Sequence, residues 1–138
     1  MRKKSGYRML AAILFTLAAL LLLVSCAEKT ETKGSNTYMQ ITQEEAKHIM
    51  DTQSGYVILD VRTDEEFAAG HIPGAILIPD YEIGSRAAQE LTDKTQLILV
   101  YCRSGRRSKN AASELASLGY TNVREFGGII DWQYDIIK

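Results

Sequence analysis

From residue 38 to the C-terminus, short apolar runs alternate with segments of helical periodicity. Five runs are predicted to be strands: 38–41, 56–59, 75–78, 97–101 and 122–126. The run 97–101 (LILVY) is apolar throughout, which is typical of a strand covered on both faces. Strands that alternate with short helices favour an α/β fold, with a mainly parallel sheet between helical layers.

Two of the predicted helices begin with the pattern of a capping box, Thr-x-x-Glu. Thr42 with Glu45 opens the first helix, and Thr63 with Glu66 opens a short second helix that Gly70 closes. In each box the Thr side chain accepts from the backbone of the Glu, whose carboxylate reaches back to the N-terminal N–H of the helix. The first helix is predicted to bury one face, formed by Ala46, Ile49 and Met50.

The remaining helical segments carry weaker signals. Residues 80–91 are weakly helical, because Gly84 interrupts them. A helix after residue 108 is predicted to turn four apolar side chains inward and to end before Gly119: Ala111, Ala112, Leu115 and Leu118. After the last strand, Gly127 and Gly128 are predicted to lead into a C-terminal helical segment that carries Trp132.

Residues 1–25 have the pattern of a secretory signal peptide. Four basic side chains come first, and residues 9–24 are apolar apart from Thr16, which is short for a membrane span and typical of a signal-peptide core. The segment ends in LVSC, residues 23–26, which resembles the bacterial lipobox. We therefore expect cleavage before Cys26 and lipidation of its thiol. The alternative is an uncleaved signal anchor in which Cys26 is incidental.

Charge and polarity separate this N-terminus from the rest of the chain. Residues 26–37 are polar without periodicity and are predicted to be a tether that joins the lipidated cysteine to a domain at 38–138. None of the 17 acidic residues precedes Cys26, whereas four of the 16 basic ones do, so the remainder has a net charge of about −5. Such a domain has no general electrostatic reason to bind nucleic acid or anionic lipid. We expect a lipid-anchored protein on the extracytoplasmic face of a bacterial cell membrane.

Cys102 is the second of two cysteines, and the only free thiol if Cys26 carries lipid. It follows the most strongly predicted strand and precedes a helix, where open α/β sheets bind ligands. Inward N–H groups, the helix N-terminus and three nearby arginines all favour the thiolate, so the pKa of Cys102 is expected to be lowered. The loop is therefore predicted to hold a nucleophile among anion-binding groups. The alternative is a buried structural cysteine beside an Arg-rich surface turn.

Residues 102–108, CRSGRRS, resemble the C-R-S-G-x-R-S active loop common in single-domain rhodaneses. Further segments resemble the other motifs of that family in the same order: Asp60-Val61-Arg62, Glu66-Phe67, residues 70–75 (GHIPGA), Ile78-Pro79, Gly127-Gly128-Ile129 and Trp132. The resemblance extends from about Tyr38 to the C-terminus with its spacing intact. It implies a three-layer rhodanese-like domain, with a mainly parallel five-stranded sheet flanked by helices.

The resemblance also implies sulfurtransferase activity, in which sulfane sulfur passes from an anionic donor such as thiosulfate to a thiophilic acceptor through a persulfide on Cys102. The acceptor would be a small thiol, cyanide or the thiol of a partner protein. Substrate binding would fall to the loop residues Arg103, Ser104, Gly105, Arg106 and Arg107. Their amides would cradle the sulfur, and Arg107 would orient the loop or the substrate. Arg103 and Arg106 would steer anions, unless they are plain surface charges.

Three residues outside the loop are given supporting roles. Asp60 and Arg62 follow the neighbouring strand, where we expect their side chains to brace the loop. His71 is interpreted as a turn residue and not as a general base, because a thiolate that is already formed needs none. No metal-ligand spacing is present, and we expect no cofactor.

Two other functions stay open at this point. The first is a phosphatase or arsenate-reductase-like activity. Relatives of this fold that cleave phosphate carry C-x5-R, whereas Cys102 to Arg107 is C-x4-R, a smaller ring that crowds a phosphoryl group. The second is a non-catalytic binding or regulatory module, although such modules often lack the cysteine.

Overall fold

The computed structural model describes residues 37–138, which form a five-stranded sheet in the order β1-β5-β4-β2-β3. Every pairing between these strands is parallel. The strands are Met39–Gln40 (β1), Val57–Asp60 (β2), Ala75–Leu77 (β3), Ile98–Cys102 (β4) and Val123–Gly128 (β5). The predicted α/β class and the five-stranded parallel sheet flanked by helices are confirmed. The predicted signal peptide, the lipidation of Cys26 and the tether up to residue 36 lie outside the described residues.

In this part of the chain four α-helices and two short 3-10 turns cover the sheet. The helices are Gln43–Thr52 (α1), Asp64–Ala69 (α2), Ile83–Glu90 (α3) and Arg106–Ser117 (α4), and the turns are Asp80–Glu82 and Ile129–Asp131. Both predicted capping boxes are present, at the starts of α1 and α2. Within residues 37–138, none of the helices has the length and apolar character needed to cross a membrane.

Strand β4 is buried along its whole length, and its side chains alternate between two cores. Ile98, Val100 and Cys102 belong to the cluster that includes residues of α3 and α4, whereas Leu99 and Tyr101 belong to the cluster that includes residues of α1. Each fully buried aliphatic side chain contributes about 1.5–3 kcal/mol relative to an exposed one. Cys102 therefore lies at the end of a firmly held strand, where the chain must leave the sheet.

The register between β4 and β5 changes next to Cys102. Val100 aligns with Glu125, but Cys102 aligns with Gly128, so β5 carries one residue more than β4 over this interval. Such an extra residue is a β-bulge, which bends a strand and redirects its side chains. Gly127 lies in this interval with a φ of +94°, a value that favours glycine. The bulge brings the end of β5 over the loop that follows Cys102.

The prediction that Leu118 faces inward is wrong. Helix α4 ends at Ser117, and Leu118 caps it with 37% of its surface exposed. Tyr120, beyond the turn at Gly119, enters the core instead, and its hydroxyl lies 2.8 Å from the carbonyl oxygens of both Ala87 and Leu91, to either of which it can donate its proton. Tyr120 is buried and belongs to the core cluster that α4 covers, whereas Leu118 does not.

The predicted C-terminal helical segment is also only partly correct. A single 3-10 turn, Ile129–Asp131, follows β5, and Trp132 lies just after it in extended conformation. Trp132 packs its ring against Phe126, with 5.6 Å between the ring centroids, and joins the edge of the second core. Contact with this core, more than helical propensity, fixes the position of Trp132.

Candidate active site

The Cys102 sulfur lies where β4 ends and α4 is about to begin. Gly105 is the N-cap of α4 and has a φ of +95°, which lets the chain turn back sharply over three residues. Its N–H donates to Cys102 Sγ at 3.1 Å. A glycine has no side chain to cap the helix, and the cysteine sulfur is the acceptor for the N–H of this N-cap residue. Cys102 itself is fully buried.

The loop is closed from behind by the end of β5. A Cβ atom on Gly128 would clash with the carbonyl oxygen of Arg103 and would lie 2.5 Å from Cα of Ser104. The same carbonyl of Arg103 accepts from the N–H of Ile130 at 3.2 Å. Gly128 is therefore required by close backbone approach, and the C-terminal turn fixes the path of the loop.

Hydrogen bonds lower the pKa of Cys102 in spite of its burial. Burial is the largest single contribution and raises the pKa of the thiol. The Ser108 hydroxyl and the N–H groups of Ser104, Gly105 and Ser108 together outweigh it, because they stabilise the thiolate. The direction agrees with the prediction. The main causes are these donors, and not the arginine side chains.

Arg107 points its guanidinium toward Glu66 at the start of α2. Two parallel hydrogen bonds of 2.8 Å join its terminal nitrogens to the two carboxylate oxygens. This pairing lowers the pKa of Glu66 from its ordinary value of 4.5 to about 2. The pKa of Arg107 is raised, first by Glu66 and also by the charge of Cys102. The arginine predicted to orient the loop or the substrate thus binds a carboxylate of this chain, while its charge still acts on the thiolate.

The other loop residues lie at the surface or beneath it. Arg103, Ser104 and Arg106 are exposed, whereas Gly105 is buried. Exposed guanidinium groups in the loop that follows a buried sulfur add positive charge to this part of the surface. That Arg103 and Arg106 steer anions to the sulfur stays a prediction.

Asp60 and Arg62 form a buried ion pair at the end of β2. The guanidinium and the carboxylate meet at 2.7 Å, and a second nitrogen of Arg62 bonds both oxygens at 3.0 Å. Arg62 also donates to the carbonyl of Gly70 at 2.7 Å. Within the described residues, the hydrogen bonds of these two side chains hold the segment after β2 and the turn at Gly70. The structure shows no direct hydrogen bond from them to the 102–107 loop, which they were predicted to brace.

His71 is held in the turn by local contacts. Its ring stacks on Phe67 with 3.8 Å between centroids, and Nδ1 lies 3.0 Å from the Phe67 carbonyl oxygen. Its backbone forms a two-hydrogen-bond bridge with Ile137 near the C-terminus. These contacts agree with its interpretation as a turn residue.

Three residues of the site were not singled out for it from the sequence: Glu66, Ser108 and Glu125. Glu66 was identified as part of a capping box and of a motif that resembles the family, but no role in the site was given to it, and its contact with Arg107 is tertiary. Glu125 is 2% exposed and accepts from the Ser108 hydroxyl at 2.6 Å. Strand periodicity could have indicated it, because positions 123 and 125 share one face and Val123 is apolar.

Comparison with known proteins gives the family. Residues 42–135 match the rhodanese-like domain family, so the chain belongs to that family. It is 41% identical over 73 residues to the thiosulfate sulfurtransferase PspE of Escherichia coli strain K12, covering 53% of this chain and 70% of that one. It is 36% identical over 88 residues to a sulfurtransferase of Allochromatium vinosum, covering 63% of this chain and 79% of that one.

A solved structure agrees with this assignment. A rhodanese with anions from E. coli superposes with a TM-score of 0.57 at 37% sequence identity, over 60% of this chain and 98% of that one. The chain spans about half the length of some other curated relatives that it matches. The chain is thus a member of the rhodanese-like domain family, and the relatives that it resembles include proteins named as sulfurtransferases.

Proposed function

We propose that this protein is a thiosulfate sulfurtransferase-like enzyme that carries sulfane sulfur as a persulfide on Cys102. The observation that supports this most directly is the environment of the sulfur. Cys102 Sγ ends a buried strand, accepts a backbone N–H at 3.1 Å and has a lowered pKa. A thiolate surrounded by N–H donors can both attack an anionic sulfur donor and stabilise a second, negatively charged sulfur.

The proposed reaction has two displacement steps. In the first, the Cys102 thiolate attacks the outer sulfur of thiosulfate; an Sγ–S bond forms, the S–S bond of thiosulfate breaks, and sulfite leaves with the electron pair. In the second, a thiolate or cyanide attacks the outer sulfur, the Sγ–S bond breaks, and Cys102 returns as a thiolate. Each step is a displacement in which the leaving sulfur takes the electron pair of the broken bond, so neither step needs an external oxidant or reductant.

The residues around Cys102 would divide the work. The amides of Ser104, Gly105 and Ser108 lie on the sulfur side of the loop and would hold the persulfide charge. The exposed side chains of Arg103 and Arg106 would draw the donor to the mouth. The ring from Cys102 to Arg107 has six residues, which favours one added sulfur atom over a bulkier phosphoryl group.

We further propose that the enzyme is a lipoprotein anchored through Cys26 on the extracytoplasmic face of the membrane. The support is the sequence pattern of residues 1–26 alone. Cys26→Ser should release or mis-process the protein in cell fractions without changing sulfur transfer. Recovery of an unlipidated, full-length chain as the mature membrane form would contradict the proposal.

The enzymatic proposal is tested by mass spectrometry of the full chain after exposure to thiosulfate. Cys102 should gain the mass of one sulfur atom and lose it when cyanide or a small thiol is added. The nearly isosteric Cys102→Ser variant should stay folded and gain nothing, and the wild type should show little turnover of phosphate esters. Efficient phosphate ester hydrolysis without any persulfide would overturn the assignment.

A further inference from the structure

Glu125 is a buried carboxylate behind the Cys102 loop, and the proposed sulfur transfer does not use it. It lies on β5 and accepts two hydrogen bonds, from the Ser108 hydroxyl at 2.6 Å and from the Gly127 N–H at 2.9 Å. Both bonds end on the same oxygen, Oε1. Neither donor is charged, and no ion pair to Glu125 is found within residues 37–138. A buried carboxylate without a cation acts strongly on nearby charges.

Two short links join this carboxylate to the Cys102 sulfur. The first is Gly105, whose N–H donates to Sγ; a Cβ on Gly105 would lie 3.9 Å from Glu125 Oε1. The second is Ser108, whose hydroxyl contributes to the lowered pKa of Cys102 and makes its shortest hydrogen bond to Glu125. The carbonyl oxygens of Gly105 and Gly127 also lie within 3.1 and 3.4 Å of this hydroxyl. A hydroxyl has a single proton, so a bond to Glu125 withholds that proton from the sulfur. At 2.6 Å the bond to the carboxylate has the length of a charge-assisted hydrogen bond.

Among residues 37–138, the charged side chains that follow Cys102 in the loop or line the adjoining cavity are paired or exposed, and Arg124, the neighbour of Glu125 on β5, is half-buried. The guanidinium of Arg107 binds Glu66. Lys109 and Asp131 are exposed and line a cavity of about 410 Å³ beside the loop, to which Glu125 also contributes. Exposed charges are screened by water, whereas a buried one is not. The sulfur therefore lies between N–H donors and one unscreened negative charge behind the loop.

We propose that Glu125 is a positioning residue that sets the nucleophilicity of Cys102, by opposing the donors that stabilise the thiolate. It does so through its charge and by drawing the Ser108 hydroxyl to itself. Intrinsic thiolate nucleophilicity falls as the thiol pKa falls, and the best attacking thiol has a pKa near the ambient pH. The amide donors alone would make the thiolate abundant but weakly reactive. Glu125 offsets their effect and makes the thiolate more reactive. This role rests on Cys102 being the nucleophile of the proposed function.

Glu125→Gln tests the proposal, because a Gln amide oxygen can accept both bonds that now end on Oε1. The rate of alkylation by iodoacetamide is measured against pH on the full chain, and is read on the Cys102 peptide so that Cys26 does not contribute. The midpoint should fall by about one pH unit, since a like charge nearby disfavours the thiolate. The plateau rate constant should fall about threefold, as a Brønsted slope of 0.4–0.5 requires.

Asp131→Asn is the matched control, because it removes a carboxylate from the exposed rim of the same cavity. It should change neither the midpoint nor the plateau. A purely structural Glu125 would leave the midpoint of the Gln variant unchanged, since both hydrogen bonds remain. An unchanged or raised midpoint in Glu125→Gln therefore overturns the proposal.

A second variant and a measurement of persulfide formation distinguish the remaining outcomes of this test. If circular dichroism shows that the Gln variant does not fold, Glu125→Met removes the charge with a side chain of similar volume and should give the same fall in midpoint. Persulfide formation is followed on the same samples. A lowered alkylation midpoint in a protein that never acquires sulfur would contradict the proposed function and support the effect of Glu125 on the thiol. Normal sulfur transfer with an unchanged midpoint would support the proposed function and contradict the role of Glu125.

Discussion

The chain uses the same four-residue pattern, Thr-x-x-Glu, at the starts of α1 and α2. In the first box the Glu45 carboxylate accepts from the Thr42 N–H at 2.7 Å, and the Thr42 hydroxyl accepts in return at 3.1 Å. In the second, Thr63 and Glu66 exchange the same two bonds at 3.1 and 3.3 Å. The local geometry is therefore nearly the same in the two boxes.

The difference lies in what the second carboxylate does beyond its own helix. Glu45 is exposed. Glu66 uses both oxygens to bind Arg107, a residue 41 positions further along the chain. Within residues 37–138, the side-chain bonds of the first box stabilise a helix end, whereas the second box also connects a helix end to the loop that holds Cys102. The same local motif is structural in one place and part of the site in the other.

The largest expected effect comes from removing the charge of Glu66, the carboxylate of the second capping box. Glu66→Gln keeps a capping side chain but loses the charge-assisted pair with Arg107. The first turn of α4, which places Ser108 against the sulfur, should loosen. We expect kcat/KM for sulfur transfer to fall about tenfold, which corresponds to about 1.4 kcal/mol.

Glu45→Gln is the matched control for that variant. It changes the same residue type in the same motif, and sulfur transfer should stay within about twofold of the wild type. Equal losses of activity in the two variants would show that helix capping, and not the bond to Arg107, is what matters.

A double-mutant cycle should show that Glu66 and Arg107 act as one unit. Glu66→Gln, Arg107→Gln and the double variant are compared by free energy of unfolding at neutral pH. For residues in direct contact we expect a coupling of about 1 kcal/mol, because each single change leaves the other partner without its ion pair. The corresponding cycle between Glu45 and Arg107 should give a coupling near zero. Additive effects in the first cycle would mean that the bidentate pair contributes nothing in solution.

Acid should remove the stability that the Glu66 carboxylate contributes, and it should do so over a defined range of pH. Since Arg107 lowers the folded-state pKa of Glu66 to about 2 from an ordinary 4.5, the ionised carboxylate contributes stability that is fully present above the ordinary value. That stability is lost as the pH falls from there toward 2. Side-chain exposure of 28% keeps the contribution to about 1 kcal/mol.

The measurement is urea unfolding of the wild type and Glu66→Gln between neutral and acidic pH. The difference between them should shrink through that range, because the variant has no carboxylate to protonate. A difference that stays constant down to the lowest pH would contradict the assignment of the shift to Glu66.

Local patterns in the sequence predicted the fold and the position of Cys102 at the end of a buried strand. The apolar run that forms β4 and the two capping boxes each consist of fewer than six consecutive residues, so interactions between sequence neighbours determine them. Leu118 was misplaced because the helix end is decided by Tyr120, which enters the core from beyond the turn. Helix propensity describes the residues of α4 alone, so it does not show that Tyr120, beyond the helix end, is buried in place of Leu118.

The candidate site was also predictable only where its residues are neighbours in the sequence. Cys102 and its loop are contiguous, and the strand before them fixes their place at the edge of the sheet. The bonds from Arg107 to Glu66 and from Ser108 to Glu125 join residues that are 41 and 17 positions apart. No spacing rule in a single sequence covers such pairs, because they depend on the strand order and on the β-bulge next to Gly128.

The smallest expected effect sharpens the comparison most, because it isolates what the first box contributes. Glu45→Gln keeps a side chain that can accept from the Thr42 N–H, and Gln serves this position in capping boxes as Glu does. The exposed carboxylate also loses its favourable interaction with the helix N-terminus, worth a few tenths of a kcal/mol under screening. We expect the free energy of unfolding to drop by about 0.3 kcal/mol, measured by urea denaturation beside Glu66→Gln. The two substitutions are chemically the same, so the excess cost at Glu66 measures the bond to Arg107, and a cost at Glu45 as large as that at Glu66 would remove the distinction between the two boxes.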